Sequence, residues 1–165
     1  MRYVLFWTLM LLLLWTAQDM ARADDHSFRM GMGIINGERT GEVKTFSVRR
    51  EEHQVYGVYS AYEGGLWTDT GRAAGRKASG FGLGQIGIKP GSEEGLFGAA
   101  FLGLGGISQT DSQLGGHFQF VENIGVGIRD GAGFVSIDYR HFSSAGLSKP
   151  NKGRDFLVFS IGVSL

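Results

Sequence analysis

The amino-acid sequence predicts an all-β protein, an eight-stranded antiparallel up-and-down β-barrel that spans a membrane. Three observations predict it. Glycine is abundant (28 of 165 residues) and proline scarce (2), yet 12 Phe and 5 Tyr are spread among the glycines, unlike a flexible linker. The apolar residues recur with period two and not 3.6. Long and short connections between the apolar runs alternate, as loops at one rim and tight turns at the other require.

The first segment is expected to lie outside the barrel. Arg2 precedes the apolar run VLFWTLMLLLLW (4–15), and small residues Ala21 and Ala23 follow. A charged start, a short apolar core and small residues at −3 and −1 make a secretory signal peptide, cleaved after Ala23. The run is shorter than the ~20 residues a spanning helix needs, which disfavours a retained anchor. The mature chain, 24–165, is then a single barrel domain.

Eight runs follow: 27–35, 43–50, 54–67, 79–89, 95–107, 116–128, 133–142 and 155–165. The connections at 36–42, 68–78, 108–115 and 143–154 are long, and those at 51–53, 90–94 and 129–132 are short. The glycine patterns GFGLG (80–84) and GLGG (103–106) have no helix after them and so are no phosphate-binding loops. They are expected to relieve crowding inside a narrow barrel.

The eighth run chooses the environment. Leu157, Phe159, Ile161, Val163 and Leu165 form an unbroken apolar row on one face, with Phe156, Val158, Ser160, Gly162 and Ser164 on the other. In a soluble lipocalin-like barrel that row would line a ligand cavity. In a membrane it faces lipid, where a closed barrel is the β structure that satisfies every backbone group. The row also resembles the carboxy-terminal strand that outer-membrane barrels present to their insertion machinery, with Leu165 where an aromatic is usual.

In the seventh run Val135, Ile137, Tyr139, His141 and Ser143 share the lipid-facing parity, while Ser136, Asp138 and Arg140 suit a polar interior. Asp155 opens the eighth run in phase with Leu157. His141, Ser143 and Asp155 are thereby expected together on the outer wall near the membrane boundary. Imidazole can take the proton of a serine oxygen attacking an ester carbonyl, while carboxylate fixes the tautomer and stabilises the imidazolium. Each residue alone is ordinary. Their shared parity is what points to a nucleophilic site whose substrate arrives sideways through the bilayer.

Composition excludes other classes. Lys plus Arg and Asp plus Glu number 16 each, and loss of Arg2, Arg22 and Asp19 with the signal leaves one acidic residue in excess. No nucleic-acid partner is implied. Cysteine is absent. His26, His53 and His117 have no metal-ligand spacing, so neither a metal site nor any other cofactor is expected. Arg72, Arg76 and Lys77 in one long connection, with Lys149, Lys152 and Arg154 in the last, could bind the phosphates of an anionic lipid.

The segment RHFSSAGLSKPNKGRDF (140–156) resembles the His-x-Ser-Asn-Ala-Gly motif, Pro-Asn-x-Gly loop and following acidic residue of the PagL-type lipid A 3-O-deacylases, and GGHFQFVENIGVGI (115–128) resembles the strand before it. YGVYSAYEGGLW (56–67) and the glycine-rich run 95–107 are weaker matches. The resemblance implies an eight-stranded barrel in the outer membrane of a Gram-negative bacterium, a serine esterase that removes the 3-hydroxyacyl chain ester-linked at position 3 of lipid A. It makes His141 the base, Ser143 the nucleophile and Asp155 the orienting carboxylate. Two positions depart from the pattern. Asp155 stands in place of glutamate, and Ser144 in place of an asparagine that helps hold the oxyanion, a task for which the backbone amides of Ser144, Ala145 or Gly146 could substitute. Lipopolysaccharide and the bilayer are the partners implied, and a homodimer is left open. The other class of function is a barrel of the same ancestry without catalysis, serving a structural or surface-interaction role.

Overall fold

The computed structural model describes residues 24–35, 43–54, 57–69, 77–91, 94–110 and 113–165. The segment 1–23, expected as a signal peptide, and the loop cations Arg72 and Arg76 lie outside them. Eight strands run in order: β1 (Asp25–Ile35), β2 (Val43–His53), β3 (Val58–Asp69), β4 (Lys77–Ile88), β5 (Gly95–Ile107), β6 (Phe118–Asp130), β7 (Gly133–Ser143) and β8 (Arg154–Ser164). Each pairs antiparallel with its sequence neighbour, and β1 pairs with β8 to close the barrel. No edge is left, so every strand finds its ladder partners inside the wall.

Alternation decides which side each residue faces. β2 shows it cleanly, with Val43, Thr45, Ser47 and Arg49 buried and the residues between them exposed. In β8, Phe159, Ile161 and Val163 are exposed while Phe156, Val158 and Ser160 are buried. The apolar row of the last strand therefore faces outward, as a membrane barrel requires. A lipocalin-like barrel would have reversed it. Phe28, Phe46, Leu66, Ile86, Leu96 and Ile124 carry the exposed apolar belt around the wall.

One boundary moves. Residues 51–53 were expected as a turn, but they extend β2, pairing with Ala61 to Tyr59 on β3. The reason is inside the barrel, where Glu51 accepts Lys89 at 2.9 Å and Arg49 at 2.5 Å. A buried carboxylate with two cationic partners holds the strand in register past the point where its hydropathy suggests a turn. The connection moves to 54–57.

The glycines divide between the two faces. Gly87 and Gly103 face inward, where an added Cβ would lie 2.2 Å from the carbonyl oxygens of Ala100 and Gly84 respectively. Gly82 and Gly84 face outward, with nothing within 4 Å of such a Cβ. Crowding accounts for Gly103 and Gly105 of GLGG. The glycines of GFGLG sit on the outer wall and relieve none.

The interior is filled in three storeys. At the end with the long connections, Trp67 packs on Phe142, Phe81 and Phe156 at ring-centroid distances of 5.3, 5.6 and 5.9 Å. Below this plug Glu63 accepts hydrogen bonds from Arg140 (2.7 Å), Arg29 (3.3 Å) and Arg49 (3.3 Å), and Arg29 also reaches Asp138 (2.6 Å). Towards the turn end Asp25 holds Lys89 and Arg129. Charges out of water are costly unless paired, and here each carboxylate meets at least two donors. Side chains fill most of the barrel along the described strands.

Candidate active site on the outer wall

β7 and β8 set the site. Their register places His141 directly opposite Asp155, with Tyr139 opposite Leu157 two pairs further down, on the same face. The β1–β8 ladder shifts register between Gly33 and Ile35, alongside Phe156 and Asp155. Such irregularities re-aim a side chain at the rim of a barrel.

The imidazole Nδ1–H of His141 donates to Asp155 Oδ1 at 2.6 Å. That bond leaves Nε2 as the basic nitrogen of the neutral ring. The same carboxylate oxygen accepts the Tyr139 hydroxyl, also at 2.6 Å. Asp155 is 6 % exposed at its side chain and His141 28 %, so the carboxylate is shielded and the ring is open on one side. On another side the chain itself covers the ring. Gly153 is buried with φ +77°, and a Cβ there would lie 2.5 Å from His141 Cε1. Only glycine fits both the left-handed backbone and the close approach.

Ser143 ends β7, half-buried and opposite Phe120 on β6. It shares the face of His141 two residues away. The structure brings His141 and Asp155 together and makes no hydrogen bond between Ser143 and His141.

The turn after Ser143 is built tightly. Leu147 N–H donates to Ser144 O (2.9 Å) across Ala145 (φ 49°) and Gly146 (φ 85°), two successive left-handed residues. Ser144 is fully buried: its amide donates to Asn151 Oδ1 at 2.8 Å, and its hydroxyl to Ser148 O at 3.1 Å. Its amide is thus committed to the loop and not available to an oxyanion, which corrects the expectation for Ser144. Ala145 and Gly146 stay exposed. The loop is also tied to the neighbouring connection, Gly115 N–H donating to Pro150 O (2.7 Å) and Lys152 N–H to Gln113 O (3.0 Å).

Of the three loop cations, Lys149 and Lys152 are exposed. Arg154 is not. It opens β8 with the parity of Phe156, is 2 % exposed, and sets its guanidinium 5.9 Å from the Trp67 ring centre inside the barrel. The expectation of a substrate contact is corrected there, because one residue of register separates the inner face from the outer.

Three residues of the site were not singled out from the sequence: Tyr139, Gly153 and Glu122. Glu122 is exposed on β6 directly across from His141, so the imidazole has a carboxylate-bearing strand on each side. Its signal was present in the row Phe118, Phe120, Glu122, Ile124, Val126, which a single acid interrupts.

Residues 43–164 match the family model described as lipid A 3-O-deacylase (PagL). The chain belongs to this family. The crystal structure of the outer membrane enzyme PagL superposes with a TM-score of 0.61 at 20 % identity, covering 86 % of this chain and 99 % of that one. The N-terminal barrel of Pseudomonas aeruginosa OprF gives 0.63 at 10 % identity (87 % and 98 %), and Neisserial surface protein A gives 0.62 at 9 % (88 % and 98 %). At those identities the structural likeness speaks for the fold alone. A comparison with curated proteins by sequence finds no match. As a member of the PagL family the chain is an ester hydrolase in general class, seated in the outer membrane of a Gram-negative bacterium.

Proposed function

We propose that this chain is a lipid A deacylase that hydrolyses the 3-hydroxyacyl ester at position 3, using Ser143, His141 and Asp155 on the outer barrel wall. Ser143 Oγ attacks the ester carbonyl as its proton passes to His141 Nε2. The tetrahedral intermediate collapses, and the proton returns to the sugar oxygen as it leaves. Water, deprotonated by the same nitrogen, then cleaves the acyl-serine to release a 3-hydroxy fatty acid and restore the hydroxyl. Asp155 holds the ring in the tautomer that keeps Nε2 basic and stabilises the imidazolium.

The single observation that carries this reading is the 2.6 Å His141–Asp155 contact on a wall that otherwise faces lipid. A paired, shielded carboxylate and a partly open imidazole are costly among apolar side chains unless they serve a reaction. Lipid A reaches them laterally, and Lys149 and Lys152 in the loop above are placed for its phosphates. The missing Ser143–His141 hydrogen bond, with the Ser144 amide tied to Asn151, is what favours a barrel without catalysis. Serine–histidine bonds in resting enzymes are often long and close only with substrate. Mass spectrometry of lipid A from a Gram-negative host expressing the chain tests the proposal. Loss of one hydroxyacyl chain, abolished by Ser143→Ala, is expected; full deacylation by Ser143→Ala removes serine as the nucleophile.

A further inference from the structure

Glu122 interrupts the apolar row that β6 turns outward, between Phe120 and Ile124. The residue is exposed, with His141 opposite it on β7 and Leu102 opposite it on β5. On the β5 side the wall is hollowed into a groove of about 330 Å³. Leu102, Leu104 and Phe120 make it apolar, the chain at Gly103 and Val121 runs between them, and Glu122 is the charged residue of the lining. The groove adjoins the nucleophile, because Phe120 stands opposite Ser143.

A carboxylate among lipid-facing side chains is costly unless it has a task. Orienting the imidazole is already the task of Asp155. A hydrocarbon lining with one acceptor at its edge matches a hydrocarbon chain with one hydroxyl. We infer that Glu122 is a specificity-determining residue: its carboxylate accepts the hydroxyl of the 3-hydroxyacyl chain, and the remainder of that chain lies in the groove between β5 and β6. The inference rests on the deacylase reading above and adds to it the group that tells a hydroxyacyl ester from a plain one. Glu122 and Ser143 are diagonal neighbours across β6 and β7, about 7–8 Å apart. With the ester carbonyl at Ser143 Oγ, the hydroxyl two carbons further along the chain falls within reach of the carboxylate. A plain acyl chain in the same place would press hydrocarbon against a charge and leave it without its donor, which is how a polar site rejects an analogue that lacks the hydroxyl.

The experiment compares wild type, Glu122→Leu and Glu122→Gln in detergent micelles on two esters of the same sugar, one carrying a 3-hydroxytetradecanoyl chain and the other a tetradecanoyl chain. Wild type should favour the hydroxyacyl ester in kcat/KM by about tenfold to a hundredfold, the scale of one hydrogen bond to an ionised group. Glu122→Leu should lose that preference through a lower rate on the hydroxyacyl ester alone, its unchanged rate on the plain ester showing that it is folded. Glu122→Gln keeps an acceptor and should retain part of the preference. An equal loss on both esters overturns the inference, since a carboxylate that merely steadied the imidazolium would serve both alike, and so does a wild type without preference. If wild type hydrolyses neither ester, the deacylase reading is what fails, and the affinities of the two intact esters then decide. Tighter binding of the hydroxyacyl ester that Glu122→Leu abolishes supports the role of Glu122, and equal binding overturns it.

Discussion

Gly153→Ala is the substitution that most directly probes how the imidazole is held. A Cβ at this position would stand 2.5 Å from His141 Cε1 and 3.2 Å from Nε2. Carbon atoms in ordinary contact are about 3.5–4.0 Å apart, so the ring or the loop must give way by about 1 Å. The backbone at φ +77° adds a left-handed penalty of about 1–2 kcal/mol for a residue with a side chain. A displacement of that size at a reacting group costs on the order of 10²-fold in rate. Gly131 provides the control. It also has positive φ (+54°), but an added Cβ meets nothing within 4 Å, and it lies in the β6–β7 turn at the far rim. Gly131→Ala therefore carries the backbone penalty without the collision. Measured on lipid A in micelles, Gly153→Ala should lose about a hundredfold in kcat, while both variants lose only a little thermal stability. Activity of Gly153→Ala within threefold of Gly131→Ala would refute the close packing of loop on ring.

Three further outcomes are expected. Asp155→Asn should lower turnover by up to about 10⁴-fold, because the amide can donate to Nδ1 and favour the wrong tautomer; lipid A mass spectrometry of expressing cells checks it. Reversing Lys149 and Lys152 together to Glu should weaken turnover on lipopolysaccharide more than on a neutral short-chain ester, and equal effects on both would reduce the two lysines to solvated loop. Glu63→Ala removes the acceptor shared by Arg29, Arg49 and Arg140 and should destabilise the barrel by about 3–5 kcal/mol, read as a lower midpoint of heat- or urea-driven unfolding in micelles.

Strand count, closure and facing were legible because a barrel wall has period two throughout and a β residue can face only two ways. The apolar rows of β7 and β8 settle inside against outside without knowledge of any contact. Boundaries were less legible where the interior overrides hydropathy: Glu51 carries β2 onward because Lys89, just past the end of β4, is there to pair with it. Sequence places no residue opposite another until the register is known. The same limit explains Arg154. Its position beside Lys149 and Lys152 suggests a loop cation, and only the exact residue at which β8 begins turns it inward over Trp67. Tyr139 and Gly153 were hidden for a further reason, since a phenol hydrogen bond and a Cβ collision are distances, and period-two reasoning yields faces.

The filled interior explains why chemistry would sit on the outside at all. Arg140 and Glu63 are fully buried in the middle storey, and Trp67, Phe81, Phe142 and Phe156 close the storey above. A substrate with acyl chains has no way in. Polar function in such a barrel is confined to the loops or to the wall, and on the wall a titratable group must have its partner on the adjacent strand, because lipid supplies none. His141 meets that condition through Asp155, and Asp155 through His141 and Tyr139. Alternation then makes the site sensitive to register in a particular way. Arg140 and His141 are chain neighbours, yet one belongs to the charge lattice that holds the barrel together and the other to the wall facing the bilayer. A slip of one residue in β7 would place the imidazole in the lattice and a guanidinium in lipid. The lattice that fixes Arg140 against Glu63 and Asn123 therefore also fixes the face on which His141 emerges.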